Sequence, residues 1–177
     1  MSDAILNTRF GLALKFVLLQ EGGNDDDPHD PGGRTSRGII QREYDVYRRG
    51  LNEPIQDVWT ATDAEVADIY KTQYWNPWCD QLPTGIDYLY FDMAVNMGPA
   101  EAAKLLQRGL GVADDGHIGM VTLAALNVAN PIRLVSDVSD RKRAFYQSLR
   151  TYWYFGKGWM ARTVRVENIA LKMAAEG

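Results

Sequence analysis

The run Ile86-Asp-Tyr-Leu-Tyr-Phe-Asp-Met-Ala-Val-Asn-Met97 has a helical period, carries apolar side chains on most faces, and is closed by Gly98-Pro99. A helix that is apolar nearly all round is stable only when other elements surround it. At 12 residues it is also well short of the roughly 20 that a membrane span needs. The chain is therefore expected to build a helical domain around this segment.

The rest of the sequence supplies the surroundings. Leu6, Phe10, Ala13, Leu14, Val17 and Leu18 form one stripe at helical spacing, which Gly22-Gly23 stops. Thr62-Asp-Ala-Glu65 reads as a capping box opening a helix with Val66, Ile69, Tyr70 and Gln73 on one side, ended by Asn76-Pro77. Pro99 suits the first turn of a helix reaching about Leu110. Residues 113–119 read as an Asp-Gly turn, and 120–129 as a short helix. Pro131 opens a long helix with Ile132, Val135, Val138, Phe145, Leu149 and Tyr152 inward; Gly156-Lys-Gly158 is expected to break it, and 159–175 forms the last helix. No segment alternates convincingly like a strand. The fold class is all-α, with room for a small β-hairpin in the loop after Gly22.

Composition narrows the functional classes. With 177 residues, 46% hydrophobic and 24% charged, the chain fits one domain with a sizeable core. A net charge of −4 gives no overall footprint for nucleic acid. The last third is richer in Lys and Arg, either as a basic face for an anionic polymer or as solvated helix surface. Cys79 is the only cysteine, so no internal disulfide can form. His29 and His117 lie far apart, and Asp25-Asp-Asp-Pro-His-Asp30 lacks the ligand alternation of an EF-hand. No metal or other cofactor is expected. The apolar run from Phe10 to Leu19 is short, contains Lys15, and lacks the flanks of a signal peptide, so neither export by a leader nor membrane insertion is expected.

Chemistry concentrates after the first helix, in Glu21-Gly-Gly-Asn-Asp-Asp-Asp-Pro-His-Asp30-Pro-Gly-Gly-Arg-Thr35-Ser-Arg-Gly-Ile39. A carboxylate leaves the end of a buried stripe, and a loop of about 16 residues, rich in Asp, Pro and Gly, follows it; loops this long usually serve a function. Glycoside hydrolysis needs an acid to protonate the leaving oxygen and a second group, a carboxylate or a holder of water, on the opposite face. Glu21 and Asp30 can supply that pair, although a solvated acidic loop would look the same.

These residues resemble the signature of glycoside hydrolase family 108, lysozyme-like N-acetylmuramidases found largely in phages and prophages. The likeness continues through Tyr74-Trp75, Cys79-Asp80-Gln-Leu-Pro83, Phe91-Asp92-x-Ala-Val-Asn96-x-Gly98 and Leu106-Gln107. It runs on through Leu110-Gly111, Asp115-Gly116-x-Ile118-Gly119, Thr122-Leu123 and Gly158-Trp159, spanning residues 9–175. The resemblance implies a lysozyme-like helical domain, a catalytic half over residues 9–97, and a helical half over 98–175 that resembles a peptidoglycan-binding region and is expected to pack on the first. It implies peptidoglycan as substrate, cleavage of the β-1,4 bond between N-acetylmuramic acid and N-acetylglucosamine, and Glu21 as catalytic acid.

The second group stays open. Phage-type lysozymes have a Glu, eight intervening residues, an Asp, five intervening residues and then a Thr; here eight residues separate Glu21 from Asp30, but only four separate Asp30 from Thr35, and Ser36 takes the five-residue spacing. Asp92 and Asn96 share a helix face, and either satisfy the core or line a cleft. Trp75, with Trp78, Trp153 and Trp159, offers a ring for sugar stacking or for the core. The further expectations are a monomer, made in the host cytoplasm and released to the wall by a holin or another route. Two rivals remain: a wall-binding or secretion-accessory protein without catalysis, and a peptidase or amidase using Cys79, which would need a positioned histidine.

Overall fold

The computed structural model describes residues 8–21, 23–25 and 34–177. It is mostly helical, with one small three-stranded sheet, which agrees with the expected class. The chain forms two compact units, residues 1–73 and 74–177.

The first unit opens with α1 (Arg9–Leu18), capped by the Thr8 hydroxyl, which accepts from the Gly11 amide at 2.9 Å. Its stripe of Phe10, Ala13, Leu14 and Val17 is buried, as the spacing requires. A sheet of two-residue strands follows: β1 (Asn24–Asp25), β2 (Thr35–Ser36) and β3 (Ile39–Ile40), antiparallel in the order β1-β2-β3. Then come α2 (Gln41–Gly50), a 3-10 turn (Val58–Thr60) and α3 (Asp63–Tyr70). The capping box is present: Thr62 accepts from the Glu65 amide, and Glu65 accepts from the Thr62 amide at 2.8 Å. Helix α2 has few apolar residues, and its inward face is carried by Tyr44 and Arg48 rather than by aliphatic side chains, which hides it in the sequence. It is held by polar contacts, with Arg48 donating to Glu65 at 2.6 Å and to the Pro54 carbonyl at 2.8 Å, and the Tyr44 hydroxyl donating to Glu65 at 3.0 Å.

Asn76-Pro77 does not stop the chain as expected. The helix widens into a π turn (Lys71–Trp75) and restarts as α4 (Asn76–Cys79), because a proline is tolerated in a first turn, where its missing N–H would have no partner. The second unit is built around α5 (Ile86–Met97), in which every residue from Ile86 to Ala94 is buried. Around it pack α6 (Pro99–Leu110), α8 (Pro131–Ser148) and α9 (Tyr152–Glu176), with α7 (Met120–Val128) against α6.

Buried polar side chains lock this unit. The Gln107 amide nitrogen donates to Asp115, to the His117 carbonyl and to Thr122, while its oxygen accepts from the Gly116 amide at 2.9 Å. One buried side chain thus ties the Asp-Gly turn and α7 to α6. Asp92, fully buried, accepts from Lys142 at 2.6 Å and from Arg162 at 3.0 Å, joining α5 to α8 and α9.

Two expectations for the last helices fail. The break falls at Leu149–Thr151, not at Gly156-Lys-Gly158, and α9 runs through both glycines. Gly156 is there for space: a Cβ would lie 2.6 Å from the Tyr152 ring, which folds over it. Ile132, expected inward, is exposed one residue after the helix start, while Leu134, Val135 and Val138 carry the contact. Among the described residues no helix is long and apolar enough to cross a membrane.

Candidate active site

Glu21 sits just beyond α1, where the chain is still wound enough for its amide to donate to the Val17 carbonyl at 3.2 Å. It is half-buried, because it continues the stripe that buries Leu14 and Val17. Opposite its carboxyl stands a hairpin turn. Ser36 pairs with Ile39, leaving Arg37 and Gly38 as a two-residue loop with φ of 50° and 81°. Both positive values mark a type I′ turn, whose twist matches that of the flanking strands.

Several contacts pin this turn. The Tyr70 hydroxyl donates to the Arg37 carbonyl at 2.8 Å. The Arg37 guanidinium donates to Asp63 at 2.8 Å and to the Ala61 carbonyl, so a residue without glycine's freedom is held in a left-handed conformation. Trp59 donates to the Thr35 carbonyl at 3.2 Å, and the Arg34 guanidinium lies 4.4 Å over the Trp59 ring while pairing with Asp57. The result is a bare glycine facing the acid. A Cβ on Gly38 would stand 3.3 Å from Glu21 Oε2 and 2.5 Å from the Tyr70 hydroxyl.

Thr35 and Ser36 occupy one strand, and successive strand residues point to opposite faces. Ser36 is buried and Thr35 half-buried, so Thr35 is the more accessible of the two. Asp30 lies outside the described residues, as does most of the acidic loop. Among the described residues no three of His, Cys, Asp and Glu converge as a cation site.

Trp75, Asp92 and Asn96 belong to the second unit, and two of them are placed differently from a substrate-facing residue. Trp75 is fully buried, its ring edge-on to Phe91 at 5.5 Å and its N–H donating to Asp80 at 2.9 Å, so no face is left for a sugar. Asp92 is fully buried and has both carboxylate oxygens engaged, one by buried Lys142 and one by Arg162. Asn96 is exposed, with its side-chain nitrogen donating to the Asp92 carbonyl at 2.6 Å. Arg37 and Gly38 lie inside the motif that reads as the site but are not singled out by it, and Tyr70 reads only as a position on a helix face. The only sequence signal for the turn was a single Arg-Gly pair, far weaker than Asn-Gly. A second feature not expected from sequence is a groove of about 390 Å³ in the second unit, lined by Trp78, Tyr90, Pro99 and His117 among others.

Known families account for most of this chain. The model for Glycosyl hydrolase 108 matches residues 14–98, and that described as a predicted peptidoglycan domain matches residues 101–164. A solved structure, that of Brucella abortus SagA, is 37% identical with a TM-score of 0.80, covering 93% of this chain and 95% of that one. The chain belongs to the glycosyl hydrolase 108 family. No curated protein matches it. As a glycosyl hydrolase 108 member it carries, at the family level, glycoside hydrolase activity and a function directed at peptidoglycan. The family boundary near residue 98 differs from that of the compact units at 73 and 74, because α5, matched with the hydrolase, packs with the helices that follow it.

Proposed function

We propose that this family member is a lysozyme-type N-acetylmuramidase, cleaving the β-1,4 bond between N-acetylmuramic acid and N-acetylglucosamine with Glu21 as general acid. One observation carries the reading. Glu21 ends an apolar stripe, and a pinned turn sets Gly38 against it so closely that a Cβ there would lie 3.3 Å from Oε2; its carboxyl is therefore half-buried beside backbone that carries no side chain. In the reaction Glu21 gives its proton to the leaving glycosidic oxygen, while a second group on the opposite face, Asp30 as carboxylate with the Thr35 hydroxyl, stabilises the sugar cation or directs water. No metal is invoked. The chain acts as a monomer in the cell wall of a phage or prophage host, reaching it through a holin or another export route.

Digestion of purified peptidoglycan in EDTA, with the new reducing-end sugar identified by mass spectrometry, tests the reading. Wild-type protein should create N-acetylmuramic acid ends, and Glu21→Gln should lower the rate by about 10²–10⁴-fold while keeping the fold. N-acetylglucosamine ends would refute the bond assignment. An active Glu21→Gln would refute the acid, and binding to wall without any released sugar would favour a non-catalytic wall protein.

A further inference from the structure

Helix α9 begins Tyr152-Trp153-Tyr154-Phe155, and three of these rings stay in solvent: Trp153 is 83% exposed, Tyr154 68% and Phe155 49%. They continue a series that starts in the core. Buried Tyr146 stacks on Trp159 at 4.9 Å, Trp159 stacks on Phe155 at 5.5 Å, and Tyr154 and then Trp153 follow edge-on at 4.6 and 5.5 Å. Adjacent large aromatics left in water mark an interaction site rather than ordinary surface.

The charge around them is one-sided. Residues 141–166 contain seven Lys or Arg and no Asp or Glu, in a chain whose net charge is −4. Three of the seven are consumed by structure: Lys142 and Arg162 by Asp92, and Arg143 by Asp140 and Glu167. Arg150 and Lys157, which flank the aromatic run, are exposed and form no ion pair among the described residues.

We propose that this aromatic and cationic face of the second unit holds intact, anionic peptidoglycan, the rings taking the flat C–H faces of the sugars and Arg150 and Lys157 the carboxylates of the stem peptides. The proposal rests on the reading of the chain as a wall hydrolase and adds a retention surface apart from the residues around Glu21. Flat apolar rings with a hydrogen-bonding edge suit a ligand that is apolar on one face and polar at its rim. The run also lies inside the segment matched by the peptidoglycan domain.

The test uses the full chain carrying Glu21→Gln, so that purified sacculi survive while binding is read by co-sedimentation. Adding Trp153→Ala with Tyr154→Ala, the two most exposed rings, should weaken retention about tenfold, equivalent to about 1.4 kcal/mol, with little change in melting temperature. Adding Arg150→Glu with Lys157→Glu, both at exposed positions that do not threaten folding, should weaken retention and flatten its salt dependence. Stripping the stem peptides with an amidase should erase the charge effect and leave the aromatic one. Wild-type retention by both variants, or no retention by the parent chain, overturns the proposal. So does preference for phosphatidylglycerol vesicles over sacculi, or loss of self-association as the only effect. Failure of the catalytic reading would appear separately, as wild-type chain that releases no reducing ends.

Discussion

The two compact units bury charge in opposite ways. In the first, Glu65 is a carboxylate at the edge of the structure, shared among a cap, the Arg48 guanidinium and the Tyr44 hydroxyl, with water still close. In the second, Asp92 and Lys142 are wholly sealed, and Arg162 closes the cluster. The first arrangement ties α2 to α3, two short helices, and α3 ends in Tyr70, whose hydroxyl holds the turn beside Glu21. The second pins three long helices that already bury a continuous apolar interior, and it fixes their register. A chain can thus carry strictly placed charges for quite different reasons: one set builds the surroundings of a site, the other a scaffold.

Removing the anion of the second unit should produce the largest loss. Asp92→Ala leaves Lys142 and Arg162 without their shared partner, and breaking a buried pair in this way costs about 3–5 kcal/mol. Burial lowers the pKa of the Lys142 ammonium and the Asp92 charge only partly restores it, so the lysine is the costly member. Lys142→Met, which keeps the Asp92–Arg162 pair and the apolar length, should lose no more than about 1–2 kcal/mol. Urea denaturation separates the two through the shift in midpoint at constant slope. Equal losses would show that the cluster does not depend on its anion.

The first unit should reveal itself in acid. Burial pushes the Glu65 carboxyl up, but hydrogen bonds from the Thr62 backbone, Arg48, the Thr62 hydroxyl and Tyr44 outweigh it and hold the group below its ordinary value of 4.5. A depressed folded-state pKa means that the unfolded chain takes up protons first. The stabilisation is therefore full above about pH 4.5 and drains away as pH falls through the lower folded value. Wild-type protein should be more stable than Glu65→Gln by about 1–3 kcal/mol at neutral pH, with the gap closing in acid. Thermal melts of the pair from pH 7 to pH 3 check this, and a gap independent of pH would remove Glu65 from its role.

How much of this could be read from sequence follows the same division. Apolar periodicity marked α1 and the central α5, and prolines and a capping box placed the starts of α3, α6 and α8, because local propensity and burial agree there. Helix α2 escaped because its order comes from Arg48 and Tyr44 reaching a glutamate 17 and 21 residues away. Gly156 misled because a glycine needed for ring packing has the same letter as one that ends a helix. At the site, Glu21 stood out through the spacing of its motif. Tyr70 did not, since it reaches the turn over 33 residues and reads locally as one more apolar position on a helix. Trp75 and Asp92 share letters with substrate-binding residues, and only burial separates them from that role.

The smallest predicted effect is the sharpest test of the turn beside Glu21. Tyr70→Phe removes the hydroxyl that donates to the Arg37 carbonyl, a hydrogen bond worth about 0.5–1.5 kcal/mol. Gly38→Ala places a Cβ at φ 81°, costing about 1–2 kcal/mol in backbone strain, and sets it 2.5 Å from the Tyr70 hydroxyl. In the double variant the hydroxyl that the methyl would strike is gone, so the two losses should not add. The pair should be more stable than the sum by at least about 0.5 kcal/mol, outside the scatter of independent sites. Activity should behave differently, because the same methyl lies 3.3 Å from Glu21 Oε2 whether or not the hydroxyl is present. Tyr70→Phe should therefore rescue the stability of Gly38→Ala without restoring its kcat. Strict additivity in denaturation would mean that the turn and Tyr70 are not in contact, and rescue of kcat together with stability would mean that the glycine serves the fold and not the acid.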